Sequence, residues 1–337
     1  MDRAAYEVGE TLAGTPYRVT RHIASGGMGS VYEVLDLSLG KRYALKTLRG
    51  SLVKDAAIAR RMRDEARMLG RLTHPNVVQV FTAGVTQDER RVPYFVMELL
   101  IGSTLRDLLR VRGALDVRTA IMITLELLAA LDQAHELELV HRDIKPDNVF
   151  LHRMKRGVRT TKLLDFGVAD LVTSANVDPS VFFGTFRYAS PEQLRGLPVS
   201  HGTDLYGVGL LLYEMLAGAH PFARSASREA MTQAHLYETP VLPNEWPAPL
   251  LSILRSALAK DSADRPRDAW TFSARLRKAT NAMGLELQPL ATDDVVLPVV
   301  DAHVPTRVLA DPTERDGTLD VTRQELVASD TRAITAR

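Results

Sequence analysis

The chain has 337 residues, with 42 Lys plus Arg, 41 Asp plus Glu and no Cys. Apolar residues at 45% and charged residues at 25% are ordinary for a globular protein and exclude a wholly disordered chain. The absence of Cys excludes disulfides, thiol nucleophiles and Cys-based metal sites, and it is compatible with a cytoplasmic protein. A formal charge of +1 argues against a bulk nucleic-acid binder. We find no membrane span and no signal peptide in the sequence.

The first part of the chain is predicted to consist mainly of strands. Residues 1–16 lack periodicity, and we expect them to form a loose leader. Apolar and polar residues then alternate, as in half-buried strands. The predicted strands cover residues 17–24, 30–37, 41–48, 77–85 and 94–100. One helix, over residues 56–72, is predicted to interrupt them because its apolar residues recur at helical spacing.

The pattern changes to helices after Gly102. The predicted helices cover residues 118–136, 204–217, 250–260 and 269–280. A small strand-rich part followed by a larger helical part predicts an α+β fold with two lobes and a cleft between them.

The last 57 residues, 281–337, differ in composition from the rest. They lack Phe, Trp and Tyr and carry a net charge of −5, against +6 for residues 1–280. We expect an acidic, Thr- and Pro-containing disordered tail. Such a tail acts as a spacer or folds back on the basic lobes.

A glycine-rich turn lies between the first two predicted strands, at Gly26-Gly27-Met28-Gly29. Glycines let the backbone approach a ligand closely, and their N–H groups can bind phosphate oxygens. The same pattern is also typical of an ordinary β-hairpin turn. Lys46 ends the next apolar strand and would need a counter-charge if buried, for which Glu65 is a candidate. A solvated Lys is the alternative.

Two polar motifs carry the chemistry of a phosphoryl-transfer site. In His141-Arg142-Asp143-Ile144-Lys145-Pro146-Asp147-Asn148, a carboxylate that can accept a proton precedes a cation and an amide oxygen. Five fixed polar positions of this kind arise by chance in roughly one chain in ten thousand. Asp165-Phe166-Gly167 follows a short apolar strand, and a carboxylate at a strand end is a good ligand for Mg²⁺.

In this order the motifs resemble those of the protein kinase superfamily, and most of all its bacterial Hanks-type serine/threonine branch. The resemblance covers residues 17–280. It implies an N-lobe over 17–97, a hinge over 98–100 and a C-lobe over 101–280. It also implies transfer of the γ-phosphoryl of MgATP to Ser or Thr of proteins, autophosphorylation, and a role in bacterial signalling.

The resemblance also implies a role for each site residue. The catalytic base would be Asp143, supported by Lys145, and Asn148 with Asp165 would hold Mg²⁺ or Mn²⁺. ATP would be bound by a larger set around the glycine-rich turn, the adenine slot, the hinge and the Lys46–Glu65 pair, with Met97 as gatekeeper. That set is Ile23, Ala24, Ser25, Gly26, Gly27, Met28, Gly29, Ser30, Val31, Ala44, Lys46, Glu65, Glu98, Leu100 and Phe150.

Other residues are expected to have architectural roles. A stack joining the lobes would contain Leu69, Val80, His141 and Phe166. Asp204 would anchor the catalytic loop from below. Glu192 would pair with Arg265, and removal of either partner would cost roughly 3–5 kcal/mol.

The sequence departs from the family pattern at three places. Ala24 replaces the first loop glycine, which is tolerated if its φ is negative. The hairpin over residues 152–162 is longer and more basic than usual, and either docks a partner or is merely solvated. Thr173, Ser174 and Ser180 are candidate autophosphorylation sites in the activation segment, but their placement does not match the twin threonines common in bacterial relatives.

Three further interpretations stay open. Thr313 with Asp316 resembles the phosphothreonine pattern read by forkhead-associated domains, although a plain spacer is the alternative. A pseudokinase scaffold is the rival function, and Ala24 is the only feature in its favour. A small-molecule phosphotransferase is a third option, opposed by Gly184-Thr185 and Ser190-Pro191-Glu192, which look like peptide-binding elements.

Overall fold

The computed structural model describes residues 6–25, 29–48, 70–154, 157–166, 186–225 and 227–288. Within these ranges the protein has two parts, a five-stranded sheet and a mainly helical lobe, as the α+β prediction requires. None of the helices in these ranges is long and apolar enough to cross a bilayer.

An antiparallel sheet with strand order β1-β2-β3-β5-β4 forms the smaller lobe. Its strands are β1 (Tyr17–Ser25), β2 (Gly29–Asp36), β3 (Lys41–Leu48), β4 (Val80–Val85) and β5 (Pro93–Met97). The strands predicted from alternation are confirmed, with ends shifted by up to three residues. The last five residues of β3 are all buried, which brings Ala44 and Lys46 into the interior next to the cleft.

Residues 6–16 are not a loose leader, and that expectation was wrong. Tyr6 and Leu12 are buried in one apolar cluster with Tyr32. The backbone of this segment pairs with β1, since Gly9 N–H donates to Val19 O and Val19 N–H donates to Glu10 O, both at 2.8 Å. Turns rather than a regular element carry the two apolar anchors, so the segment has no periodicity to detect.

The larger lobe contains seven α-helices within the described ranges. They are α1 (Leu105–Arg112), α2 (Val117–Glu136), α3 (Pro191–Leu194), α4 (His201–Ala217), α5 (Arg228–Tyr237), α6 (Ala248–Ala257) and α7 (Ala269–Ala282). The four predicted helices are confirmed, with ends shifted by up to three residues. Helices α1, α3 and α5 were missed because they are short and, in α1 and α5, more polar.

A second antiparallel sheet, of order β6-β7-β8, lies where the two lobes meet. Its strands are β6 (Gly102–Thr104), β7 (Val149–Arg153) and β8 (Arg159–Leu163). The segment before β4 joins this sheet, because Leu163 N–H donates to Asn76 O and Val78 N–H donates to Leu163 O. The catalytic motifs therefore flank β7 and β8 at the base of the cleft.

The boundary expected at residue 280 falls inside α7. Met283, Leu285 and Leu287 pack against the main core, and Arg118 Nη2 donates to Gln288 O at 3.3 Å. Residues 70–72 form a turn rather than the end of a helix. The rest of the helix predicted over 56–72, and the tail from residue 289 onward, lie outside the described residues.

Candidate active site

The loop between α2 and β7 brings three of the predicted site residues together. Lys145 Nζ lies 2.6 Å from Asp143 Oδ2, and Asn148 Nδ2 donates to the same oxygen at 2.9 Å. Asn148 Nδ2 also donates to the backbone carbonyl of Asp143 at 2.8 Å. These contacts fix the carboxylate plane of Asp143, as a group that must accept a proton in one direction requires.

The second carboxylate oxygen of Asp143 takes part in none of these hydrogen bonds. Oδ1 is buried and has no hydrogen-bond partner among the described residues. Burial opposes ionisation of this carboxyl, but Lys145 outweighs burial, and the pKa of Asp143 lies below its usual value. Asp143 is therefore an ionised carboxylate with one free acceptor oxygen at neutral pH.

Asp204, at the start of α4, anchors this loop from below as expected. Its Oδ2 accepts from His141 N–H at 2.8 Å and from His135 Nε2 at 2.9 Å, and its Oδ1 accepts from Arg142 N–H at 2.7 Å. The contact is close because position 207 is glycine, where a Cβ would lie 2.7 Å from Ile144 Cβ. Helix α4 thus sets the height of the catalytic loop.

Two residues of the site have left-handed backbone conformations. Arg142 has φ +67° and Asp165 has φ +50°. Such conformations cost a non-glycine residue roughly 1 kcal/mol or more and persist only where neighbouring contacts impose them. Here the bond from Arg142 N–H to Asp204 and the ion pair of Asp165 with Lys46 hold the two positions.

Lys46 of β3 reaches across the cleft to Asp165. Its Nζ lies 2.6 Å from Asp165 Oδ1, and both side chains are nearly buried. The expected partner Glu65 lies outside the described residues. Lys46 is thus one residue that touches both the small sheet and the motif after β8.

The two residues expected to hold a metal ion, Asn148 and Asp165, would bind it through side-chain oxygen atoms. Asn148 uses its Nδ2 in the loop, which leaves its Oδ1 for another partner. Within the described ranges Asp165 bonds Lys46 through Oδ1, so Oδ2 could meet a ligand. An amide oxygen and a carboxylate, completed by ligand oxygens, suit the hard cation Mg²⁺. The donor set therefore fits the expected ion.

Residues expected to bind the nucleotide lie on strands β1, β2, β3 and β7. Ala44 and Phe150 are fully buried, whereas Ile23, Ala24 and Ser25 are partly exposed at the end of β1. Ala24 is not among the residues of positive φ, so alanine fits this position without backbone strain. Gly26, Gly27 and Met28 lie outside the described residues.

Gly29 allows β2 to approach β3 closely at the base of this turn. A Cβ on Gly29 would lie 1.9 Å from Thr47 O, so no other residue fits. Beside it, Ser30 and Ser25 hydroxyls are 3.0 Å apart, and Val31 is buried. The open end of this hairpin therefore has a fixed base.

The hinge is held from behind by a residue that sequence reasoning missed. Lys162 of β8 places Nζ 2.6 Å from Glu98 Oε1, which also accepts from Gln79 N–H at 2.8 Å. Met97 and Leu100 on either side are buried. Lys162 lay within the basic hairpin pattern, and no feature of the sequence distinguished it from the other Lys and Arg residues there.

The expected stack between the lobes is visible in part. The rings of His141 and Phe166 lie 4.6 Å apart, and His141 Nε2 lies 2.7 Å from Leu164 O. Val80 is buried in the same core as Phe166. Leu69 lies outside the described residues.

Glu192 and Arg265 form the buried ion pair expected from the sequence. Arg265 donates from Nη1 and Nη2 to the two carboxylate oxygens at 2.7 and 2.8 Å. Burial of Glu192 is outweighed by Arg265, and its pKa falls to about 2. Because Arg265 also donates to Gly202 O and Ala259 O, this pair connects α3, α4 and the end of α6.

A second ion cluster beside the catalytic loop was also missed. Arg106 of α1 donates to Asp147 Oδ2 at 3.2 Å, to Glu214 Oε1 at 2.9 Å and to the Tyr188 hydroxyl at 2.6 Å. Tyr188 in turn donates to Glu214 Oε2 at 2.6 Å. Asp147 stood inside the strongest motif, but no sequence signal pointed to Arg106.

Several predicted positions cannot be compared with the structure. Gly167, Thr173, Ser174, Ser180, Gly184, Thr185 and Thr313, with Lys155 and Arg156 of the basic hairpin, lie outside the described residues.

A family profile described as protein kinase domain matches residues 17–274. A probable serine/threonine-protein kinase of Corynebacterium efficiens is 38% identical over 272 residues, which cover 77% of this chain and 40% of that protein. The serine/threonine-protein kinase pkn3 of Myxococcus xanthus is 35% identical, over 93% of this chain and 58% of its own length. PknA of Mycobacterium tuberculosis is 36% identical, over 79% of this chain and 61% of its own length.

Among solved structures, the kinase domain of Mycobacterium tuberculosis PknI is similar. It has a TM-score of 0.62 and 26% sequence identity, and the match covers 82% of this chain and all of that one. The chain thus spans about two-fifths to three-fifths of the length of the curated relatives that it matches.

Proposed function

The chain belongs to the protein kinase family, among the bacterial Hanks-type serine/threonine kinases, and from this we propose that it transfers the γ-phosphoryl of ATP to Ser or Thr hydroxyls of proteins. The observation that carries the proposal is the arrangement of Asp143. One of its oxygens is held by Lys145 and Asn148, and the other, Oδ1, is buried without a hydrogen-bond partner among the described residues. This is the arrangement that a base for an incoming hydroxyl needs.

In the proposed reaction, Asp143 Oδ1 accepts the proton of the acceptor hydroxyl. The hydroxyl oxygen bonds to the γ-phosphorus of ATP as the bond between that phosphorus and the leaving oxygen of ADP breaks. Lys145 keeps Asp143 ionised beforehand and supplies positive charge beside the transferring group. The ion pair with Asp165 holds the ammonium group of Lys46 in the cleft. The rate gain then arises from orientation and electrostatic stabilisation rather than from covalent chemistry.

We propose that Mg²⁺, or Mn²⁺ in its place, is held by Asn148 Oδ1 and Asp165. Bound there, the ion would neutralise phosphate charge. Nucleotide would lie against Ile23 to Val31, between Ala44 and Phe150, with the Glu98 carbonyl and the Leu100 N–H facing the adenine edge and Glu65 supporting Lys46. The burial of Ala44 and Phe150 and the fixed hairpin base at Gly29 support this assignment.

The experiment that tests the function is a radiolabelled-ATP assay on a generic protein substrate with Mg²⁺. Wild type should label the substrate and itself, and Asp143→Ala should bind ATP but transfer no phosphoryl group. Wild-type protein that bound ATP without transfer would instead be a pseudokinase scaffold. Equal transfer by wild type and Asp143→Ala would overturn the catalytic assignment.

The remaining proposals concern partners and regulation. We propose that the kinase domain includes the packed residues 6–16 and continues past residue 280 to residue 288, and that an acidic tail follows it. We further propose autophosphorylation at Thr173, Ser174 or Ser180. A cytoplasmic location is supported by the expected use of ATP, a cytoplasmic metabolite. Thr313 is the proposed contact for a forkhead-associated domain, and binding of a tail peptide with and without phosphate tests it.

A further inference from the structure

The cluster of Arg106, Asp147, Glu214 and Tyr188 lies beside the catalytic loop but takes no part in the proposed phosphoryl transfer. Asp147 stands between Lys145 and Asn148 in the chain, four residues after Asp143. Four residues span at most about 14 Å even when fully extended. Side chains that flank an acceptor hydroxyl at Asp143 therefore come within reach of Asp147.

The cluster is acidic, and its positive charge is supplied by the chain itself. Two carboxylates, Asp147 and Glu214, share the single guanidinium of Arg106 at 3.2 and 2.9 Å. Burial raises the pKa of the Tyr188 hydroxyl well above its ordinary value, so Tyr188 is neutral and contributes no charge. The cluster thus carries a net charge of −1, and would carry −2 without Arg106.

The cluster also opens to solvent on one side. Glu214 is buried, but the Asp147 side chain is 27% exposed and that of Arg106 is 20% exposed. Arg106 donates through Nε, Nη1 and Nη2 to three different partners, so its position is fixed by all three. A Lys or Arg side chain on a substrate would find the site for its charge already filled.

We propose that Arg106 is a specificity-determining residue, which fills an acidic site beside the catalytic loop and so removes a preference for basic protein substrates. This inference rests on the proposed kinase function and narrows its substrate class. Carboxylates pair with whichever cation reaches them, and an internal cation that is already ordered by three hydrogen bonds costs less ordering than one from a substrate. Without Arg106, a substrate cation takes its place.

The test uses three peptides that share one acceptor and differ only in flanking Ala, Lys or Glu residues. In the 337-residue chain, Arg106→Met should raise the ratio of kcat/KM for the Lys peptide over the Ala peptide by at least about fivefold. The double variant with Asp147→Asn should lose this gain. Arg106→Lys keeps the charge but loses the three-way hydrogen bonding, so its ratio should lie between those of wild type and Arg106→Met.

Arg110→Met is the matched control. Arg110 lies one turn further along α1, is half exposed and comes only within 3.9 Å of Asp107. It should leave the ratio unchanged. The ratio compares two peptides on the same enzyme, so a general loss of stability does not alter it. An unchanged ratio in Arg106→Met would overturn the inference.

If Arg106→Met does not fold, Asp147→Asn alone decides, because Asp147 is partly exposed and its loss leaves no buried charge. The positive charge of Arg106 is then less compensated and repels the Lys side chain of the peptide, so the Lys/Ala ratio should fall at least about threefold. An unchanged ratio overturns the inference. Binding of the same peptides, followed by fluorescence anisotropy, gives the ratio without turnover. If no turnover depended on Asp143, the proposed function would be contradicted. The ratio of the binding affinities for the Lys and Ala peptides would still decide the role of Arg106.

Discussion

Lys46 Nζ and Asp165 Oδ1 lie 2.6 Å apart, and this ion pair joins the small sheet to the motif that follows β8. Both side chains are nearly buried, 7% and 12% exposed, so water solvates neither charge well and each charge is stabilised by the other. Lys46 thus balances the charge of Asp165, and in the proposed function the same ammonium group would meet the phosphates of ATP.

Replacement of Lys46 by Met should lower kcat/KM for ATP by at least about 10²-fold, because a preorganised charge is lost where phosphate charge develops. Initial rates at varied ATP concentration measure this. Lys41→Met is the control, since Lys41 begins the same strand but is exposed. Similar rates for Lys46→Met and Lys41→Met would contradict the role assigned to Lys46.

Arg265→Met should lower the free energy of unfolding by about 3–5 kcal/mol, because it leaves the carboxylate of Glu192 buried without a cation. Urea denaturation monitored by circular dichroism measures the loss. Arg267→Met is the control, because the Arg267 side chain is 85% exposed in its pair with Asp268, and its loss should cost less than about 1 kcal/mol. Equal losses in the two variants would show that the buried pair does not stabilise the fold.

Stability should fall as the pH is lowered from about 6.5 toward 4. Burial lowers the pKa of His235 from 6.5 to about 4 and that of His220 well below 6.5. The unfolded chain takes up protons in this window and the folded chain does not, so the folded state loses relative stability, by about 3 kcal/mol for His235 alone. Below pH 4.5 the low pKa of Glu192, about 2, adds a further loss of stability that is complete only below pH 2.

Urea unfolding midpoints at pH 7.5, 6 and 5 measure this dependence. His235→Gln should flatten the curve between pH 6.5 and 5 and lower its plateau, because the bond from His235 Nε2 to Arg187 O is lost. An unaltered slope in this variant would assign the acid sensitivity to other groups.

Tyr6→Ala should destabilise the protein by about 3 kcal/mol, because Tyr6 is 2% exposed and its removal leaves a cavity against Tyr32. The measurement is the thermal midpoint together with the unfolding free energy. Val8→Ala is the control, since Val8 in the same segment is 69% exposed. A tolerated Tyr6→Ala would restore the loose leader that the sequence suggested.

The clustering of the candidate catalytic residues could be predicted from the sequence because the proposed chemistry depends on fixed spacing. Asp143, Lys145 and Asn148 fall within six residues, so a local motif records their arrangement. The pair of Glu192 and Arg265 was also foreseen, but only through resemblance, since 73 residues separate the partners. Strands with clear alternation and long helices with an apolar face were predicted for the same reason, as each carries its own period.

Long-range contacts between ordinary surface residue types could not be predicted. Arg106 meets Glu214 across 108 residues, and Lys162 meets Glu98 across 64, with no local pattern around either cation. Tyr6 and Leu12 are anchors in a segment without a period. In each case burial is decided by where the folded chain brings a partner, which is information that a window of neighbouring residues does not hold.

The segment before β4 gives the cleft a second mechanical support. The chain itself passes from the five-stranded sheet to the helical lobe at residues 98–101, but Asn76 and Val78 also bond to Leu163 of β8. In the described part of the chain these are two backbone attachments, and two points define a line that can act as the axis of a rotation. Opening of the cleft should then follow one rotation about that line, while sliding or twisting of the sheet would first have to break backbone hydrogen bonds at Leu163.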